Sequence, residues 1–328
     1  GGGQKIDKHY GHWLTAWHEL TSNNPSCTLP ALIGAANTTA NGVKYSTAIP
    51  VGQGSGAEIC MPPTMDQKAG FHCKFTTANT DIEETSAWVP LQFWFNRNPG
   101  LALPLIALQY HEVKVSITFD SEASITGGSN GGSLSSVELW CDYIYLDTDE
   151  RRRFAQVSHE YLIEQLQYQS EGPTSTVKLN LNHPVKELIF CGQRSGNGGV
   201  NGGSATPMRI AKVSDATDKL ATSSSNNGVL LKLNGHDRFA KKHMAYFTRT
   251  QVWQHHSNSG GGAQADAIGV YSFALEPEEH QPSGTCNFSR IDNAQLKFDE
   301  SVCGASASDG LHVYAVNYNV LRIMSGMG

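Results

Sequence analysis

Strict alternation of apolar and polar residues is the feature that most narrows what this chain can fold into. Residues 113–119, VKVSITF, set Val113, Val115, Ile117 and Phe119 on one side and Lys114, Ser116 and Thr118 on the other. A period of two is that of a strand with one buried face. Residues 137–146 read the same way, grouping Val137, Leu139, Cys141, Tyr143 and Tyr145. Further strands are predicted over 177–181, 185–191, 229–233, 268–275, 294–298 and 311–323. Between them lie runs of Gly, Ser and Asn at 127–133, 196–204, 221–228 and 257–263. Such runs hold too little apolar surface to enter a core and suit exposed connections. Many strands punctuated in this way point to sandwiches or barrels. Helix is expected only at 9–19 and 149–156. Asp147, Thr148 and Asp149 are candidate caps for the second, where Asp149 can pair with Arg153 one turn on.

Composition removes several alternatives. Charged residues are 16% of the 328, below the quarter or so of an ordinary soluble domain, and aromatics are too frequent for a disordered chain. No apolar run is long enough to predict a membrane-spanning helix. The net charge of −6 argues against a surface built to track phosphates. The seven cysteines, Cys27, Cys60, Cys73, Cys141, Cys191, Cys286 and Cys303, are widely spaced and form no Cys-x-x-Cys. A zinc ribbon is therefore unsupported, Cys141 reads as a buried reduced thiol, and a reducing compartment is favoured. The chain opens on Gly1-Gly2-Gly3 and stops just after the apolar run 320–324, which reads as a fragment of a longer reading frame.

A loose internal repeat organises the chain. A Pro/Gly turn, an alternating strand, a small-residue loop and a long apolar strand occur in that order from Asn98-Pro99-Gly100 to residue 146. The same order recurs from Gln281-Pro282-Ser283-Gly284 to residue 323. Two β-domains of similar build explain it, 1–155 and 156–328, with the boundary in the charged stretch 149–159.

Motifs for chemistry are sparse. The pairs His18-Glu19, His111-Glu112 and His159-Glu160 never extend to His-Glu-x-x-His. His255-His256 reads as solvated or structural histidine rather than a metal site. The glycine-rich stretches 52–56 and 198–203 lack the strand–helix context of a phosphate cradle. Glu83-Glu84 and Glu278-Glu279 sit beside turn residues and read as solvated. Arg151, Arg152 and Arg153 form the only basic cluster, on a helix that serves either as a charged interdomain element or as a subunit contact. Asn37 and Asn287 head sequons and are candidate glycosylation acceptors. No catalytic, cofactor or metal residue is assigned.

Six blocks go beyond composition: 3–10, 98–113, 142–151, 159–167, 281–292 and 317–328. Together they closely resemble the major capsid proteins of large nucleocytoplasmic DNA viruses, most of all the algal, or phycodnavirus, type. The resemblance implies an all-β chain of two consecutive jelly-roll β-sandwiches with a few short helices. It implies a homotrimer of pseudo-hexagonal outline that tiles an icosahedral capsid over an internal viral membrane and contacts neighbouring capsomers and minor capsid proteins. It implies assembly in the host cytoplasm, no enzyme activity, no cofactor and no direct nucleic acid contact. Sugars on outward loops are a family trait, which keeps Asn37 and Asn287 in view. Pro99, Gly100, Pro282 and Gly284 lie in short turns suited to subunit contacts, because such turns have little entropy to lose on docking. Members carry a further segment before the Gly-Gly-Gln block, so the first jelly roll is expected to be partial here, with unpaired edges and an exposed core face. The competing reading is a carbohydrate-binding, lectin-like β-sandwich, which wants paired cysteines and a convergent aromatic–carboxylate site. A jelly-roll glycosidase would want two carboxylates facing each other across a cleft.

Overall fold

A computed structural model describes residues 5–21, 60–61, 72–73, 88–108, 112–119, 136–172, 174–193, 210–211, 228–258, 268–299 and 310–323. The first half contributes α1 (Gly11–Thr21), the two-residue strands β1 (Cys60–Met61) and β2 (His72–Cys73), and the short helix α2 (Trp94–Arg97), which runs on into a 3-10 turn at Pro99–Leu101. α3 (Thr148–Gln156) leads into the second half. There the strands are β3 (His159–Glu171), β4 (Thr176–Leu179), β5 (Pro184–Gln193), β6 (Ile210–Ala211), β7 (Gly228–Leu233), β8 (His236–Asp237) and β9 (Lys242–His243). A π-helical turn at Tyr246–Thr250 and α4 (Gln251–His255) follow, then β10 (Ile268–Ser272), β11 (Cys286–Asn287), β12 (Ala294–Phe298) and β13 (Gly310–Ile323).

Two antiparallel sheets carry the second half. One runs β10-β5-β13-β3 and the other β4-β12-β7-β8. The pairings nest: β3 with β13, β4 with β12, β5 with β10, β7 with β8. First strand beside last, second beside second-last, alternately on two sheets, is the folding of a jelly roll. Its core is apolar, with Val177, Leu179, Leu188, Phe190, Val229, Leu231, Leu296, Leu311 and Val313 among the buried residues between the sheets. Gly269 stands opposite Phe190, and a Cβ there would collide with the Phe190 ring, so the ring lies where only glycine leaves room.

β3 and β4 are the edge strands on one side, and a rail of glutamines closes the gap between them. The Gln167 amide accepts from Asn182 N (2.8 Å) and donates to Asn182 O (2.6 Å). Gln169 accepts from Asn180 N (3.0 Å) and donates to Lys178 O (2.5 Å). Each side chain thus stands in for a peptide group and satisfies edge backbone that would otherwise be open. Leu166 and Tyr168, on the alternate face, pack away from the rail.

The sequence expectations for the second half agree closely with the strands β4, β5, β7, β10, β12 and β13, and 149–156 is α3. Asp147 is the cap, its Oδ1 accepting from Asp149 N (2.9 Å) and Glu150 N (3.0 Å). The ion pair on that helix is Asp149–Arg152 at 3.9 Å, one residue short of the expected Arg153. β3 was not anticipated as a strand. Residues 112–119 and 136–147 form no ladder with described residues, and their apolar side chains stand exposed, Trp140 at 72% and Tyr145 at 92%. Cys141 is exposed with them rather than buried. Alternation states that one face needs cover; a ladder also needs a neighbour, and none of the described residues supplies it. The loops at 127–133 and 196–204, and most of those at 221–228 and 257–263, lie outside the described residues.

Replacing Gln167 by leucine keeps the bulk but leaves the Asn182 N–H and C=O without partners. The expected loss is about 1–2 kcal/mol, read as a lower urea midpoint with an unchanged slope. An unchanged midpoint would show that the rail contributes nothing.

Candidate functional site

The sheet face turned away from the sandwich core is covered by the first half of the chain. α1 presents Trp13, Ala16, Trp17 and Leu20, spaced i, i+3, i+4 and i+7, the stripe of an amphipathic helix. All four are buried, against Ile189, Cys191, Val252, Ile268, Val270, Tyr314 and Val316. The preceding strap holds β3 by its edge: Gln165 Nε2 donates to Ile6 O (2.6 Å) and Leu166 N to Asp7 Oδ1 (3.2 Å). His9 pairs with Asp7 at 3.0 Å and stacks on Phe93 at 4.3 Å. At its far end α1 is received by the second half, where Asn258 N donates to Leu20 O (3.0 Å) and the Ser257 hydroxyl to Thr21 O (3.2 Å).

Beneath this cover lies a network of charges. Glu164 on β3 receives Lys186 Nζ at 2.6 Å on one oxygen and Arg97 Nη1 at 2.8 Å on the other. The Arg97 guanidinium also lies 4.5 Å over the Trp17 ring, so α2, α1 and β3 meet at one side chain. Lys186 is fully buried, and it also reaches Glu279 O at 3.4 Å and the Tyr318 ring at 5.3 Å. His280 Nδ1 stands 3.7 Å from Glu164. The register of β13 on β5 shifts at Val316/Asn317, opposite Lys186. That bulge breaks the alternation where two successive charged residues, Lys186 and Glu187, enter the interior. Glu187 meets His256 Nε2 at 3.1 Å, and His256 Nδ1 meets Glu278 at 3.0 Å. Glu278 also accepts from Ser257 N (2.9 Å) and the Ser257 hydroxyl (2.7 Å).

Three cations, Arg97, Lys186 and His256, thus oppose three carboxylates, Glu164, Glu187 and Glu278. Burial pulls the Lys186 ammonium below its usual range, with Glu164 resisting. Burial also pulls on His256, but Glu187 and Glu278 outweigh it and lift the ring to about 9. Burial works to raise Glu278, yet the bonds from His256 and Ser257 prevail and hold it below the ordinary carboxylate range. Tyr318 is pushed up to about 12, by burial first and by Glu164 next. Ser257, His256 and Glu278 adjoin as in a hydrolytic triad, but the hydroxyl is bound to Glu278 and both ring nitrogens face carboxylates. No imidazole nitrogen is therefore aimed at the hydroxyl, and the arrangement is not that of the triad. Among the described residues no group of three or more His, Cys, Asp or Glu is arranged to hold a metal, and no helix is long and apolar enough to cross a membrane.

The sequence-predicted residues fall around this network rather than in it. Pro99 and Gly100 form the exposed 3-10 turn beyond Arg97, capped by Asn98 Oδ1 on Gly100 N at 2.9 Å. Pro282 is exposed, and Gly284 has φ of +146°, with Phe273 O only 2.7 Å from where a Cβ would stand, beyond the turn that carries His280. Both turns therefore neighbour a side chain that reaches Glu164. Arg151, Arg152 and Arg153 are exposed on α3 and take no part. Asn287 is exposed and its Oδ1 accepts from Ser289 N at 3.1 Å; Asn37 lies outside the described residues. His256 is buried and paired, the structural one of the two alternatives, and Glu278 is half-buried and paired, where a solvated side chain is expected. Glu164, Lys186 and Glu187 were missed. Their signal was charge set inside apolar strands, YLIEQL and VKELIFC, which in a sandwich requires a partner.

The architecture is therefore that of a jelly-roll protein whose polar interior is spent on holding its own layers together. Residues 150–328 match the family described as large eukaryotic DNA virus major capsid protein, and residues 1–147 match major capsid protein N-terminus. The chain is 44% identical to the major capsid protein of Pyramimonas orientalis virus, over 100% of this chain and 73% of that protein. It is 35% identical to that of Paramecium bursaria Chlorella virus 1, over 100% and 76%. Among solved structures, the PBCV-1 capsid protein crystal structure fitted into a reconstruction of the virophage Sputnik matches with a TM-score of 0.60 at 30% identity, covering 100% of this chain and 80% of that one. A quasi-atomic model of the PBCV-1 virus capsid matches with a TM-score of 0.51 at 34% identity, covering 74% and 69%. The chain belongs to the large eukaryotic DNA virus major capsid protein family.

Two outcomes follow from the network. Glu164→Gln leaves Lys186 buried beside a neutral amide and is expected to destabilise by about 3–5 kcal/mol, as when one partner of a buried pair is removed; chemical denaturation checks it. The folded His256 titrates near 9, above its unfolded value of about 6.5. Its stabilisation is therefore complete below about pH 6.5 and is lost as pH rises through 9, on the order of 3 kcal/mol in all. Denaturation midpoints between these limits should fall in the native chain and stay flat in His256→Gln.

Proposed function

We propose that this chain is a structural virion protein, the repeating subunit of an icosahedral capsid. The observation that carries the reading is a nested jelly roll over His159–Ile323 in a chain that matches the capsid family along both halves. Sandwiches of this kind bury their strand backbones and present loops at the ends, which suits side-by-side packing in a shell. The first half, 1–155, is read as a jelly roll of the same kind preceding the second at 156–328. In support stand the internal repeat, the N-terminal family match and the alternating segments 113–119 and 137–146.

Three such chains make a capsomer of pseudo-hexagonal outline, since two similar sandwiches per chain offer six similar units around a threefold axis. A threefold contact is heterologous and closes. Neighbouring capsomers and minor capsid proteins are the partners, and the shell stands over an internal viral membrane after assembly in the host cytoplasm. The exposed turns at Pro99–Gly100 and Pro282–Gly284 and the arginines Arg151, Arg152 and Arg153 are the contact residues offered. The role needs no enzyme activity, and the interior charges of this chain are engaged with one another.

Negative-stain microscopy and light scattering of the protein from its full reading frame test this. Trimeric particles of hexagonal outline are expected; a monodisperse monomer at micromolar concentration would overturn the assembly.

A further inference from the structure

His12 on α1 and His312 on β13 face each other across the helix–sheet interface, with ring centroids 4.5 Å apart and planes inclined by 27°. Both are buried, and Nε2 of each is shut off from solvent with no hydrogen-bond partner. Nδ1 of His312 lies 2.7 Å from the Tyr168 hydroxyl. The other groups around the pair are Tyr10 at 5.2 Å from His12, Tyr314 at 5.6 Å, and Cys191 in the same cluster. Lys8 stands over the Tyr10 ring at 4.5 Å. Each of these groups is neutral or cationic. The nearest carboxylate of the strap, Asp7, is already engaged by His9 and by the amides of Lys8 and Leu166.

As neutral rings the two histidines stack and fill the interface. Charging either ring puts a buried Nε2–H where no protein acceptor faces it, which burial penalises heavily. A second proton places like charges at stacking distance. We propose that the His12–His312 pair is an acid-sensitive latch, whose protonation releases α1 from the sheet while the sandwich beneath stays folded.

The chemistry of the surroundings agrees. Burial holds both rings down near 4, and in His12 the charge of His312 adds to it. The docked form therefore binds fewer protons than the released form. Docking is at full strength above about pH 6.5 and weakens as pH falls through 4, by about 300-fold in the limit for each ring taken alone. His18, also on α1, is lowered by burial and adds in the same direction. Among the described residues the buried histidines are His12, His256 and His312, and none of them belongs to the core between the sheets. His256 stays charged throughout this range, and its bonds with those of Ser257 hold Glu278 below the ordinary carboxylate range. None of this depends on the capsid reading.

Hydrogen exchange of the full chain, corrected for intrinsic rates and followed from pH 7 to 3.5, tests the latch. Residues 11–21 are expected to lose protection around pH 4 to 5.5, together with a red shift of tryptophan emission from Trp13 and Trp17. Peptides from β7 and β12 are expected to remain protected. The double variant His12→Phe/His312→Phe keeps the stacked rings and removes the protons, and should move release down by about one pH unit or more. Should loss of the Tyr168 partner prevent that variant from folding, His12→Phe alone carries the test with about half the shift. Loss of protection in helix and sandwich at one common pH, or release of either variant at the native pH, would overturn the proposal.

Discussion

The sheet of β10, β5, β13 and β3 is buried on both faces, and the rest of the structure is organised by that fact. One face meets the second sheet in an apolar core, and the other meets α1 and the segment around Arg97. Residues 311–318 of β13 are buried without interruption. A strand in such a position cannot send its polar side chains to water, so a polar group there depends on partners inside. Asn317, Glu164 and Lys186 find hydrogen bonds within the cover that α1 completes and Glu187 pairs with His256, while the Tyr314 hydroxyl is buried without one. Removing the helix would expose apolar surface and strip these groups of their surroundings at once.

Apolar contact alone would let α1 lie on this face in several ways. The charges narrow the choice. Glu164 binds Arg97 from one side while His256 and its carboxylates stand near the C-terminal end of α1, where a cation also favours the helix dipole. Buried ion pairs add little net stability against apolar replacements of the same shape. Their effect here is on placement, because α1 must set the Trp17 ring under the Arg97 guanidinium and the Leu20 carbonyl against Asn258 N, and a helix shifted by one turn would lose both contacts. The bulge opposite Lys186 belongs to the same arrangement, since it allows two neighbouring charged residues to enter from one strand.

Much of the second half was legible because its strands carry local signals. AQLKF alternates and is β12; LIFC is an unbroken apolar run and belongs to β5, buried on both faces. β3 escaped notice because its alternate residues are Gln165, Gln167 and Gln169, whose pairing with the backbone at Ile6 and at 178–182 has no sequence signature. Residues 137–146 show the opposite failing, a clear alternation that meets no neighbour among the described residues. Glu278 reads as solvated because it adjoins turn residues in sequence, and for His256 the sequence leaves a solvated and a structural role open. Their burial comes from the packing of α4 and the 274–284 turn over the sheet.

What the sequence by itself determined is the β-rich class, the strands of the second sandwich, the two-part organisation as an expectation, and the kinship with viral major capsid proteins. Alternation, apolar runs and long matching blocks are properties of contiguous residues and can be read without coordinates. Only the tertiary structure decided the nesting of strand pairs, the seating of α1 on the outer face, and the pairing of six charges beneath it. Those depend on contacts such as Gln165 with Ile6 and Arg97 with Glu164, separated by 159 and 67 residues. Burial and charge demand that each such group have a partner, but the choice among distant partners is made by the packing of whole layers.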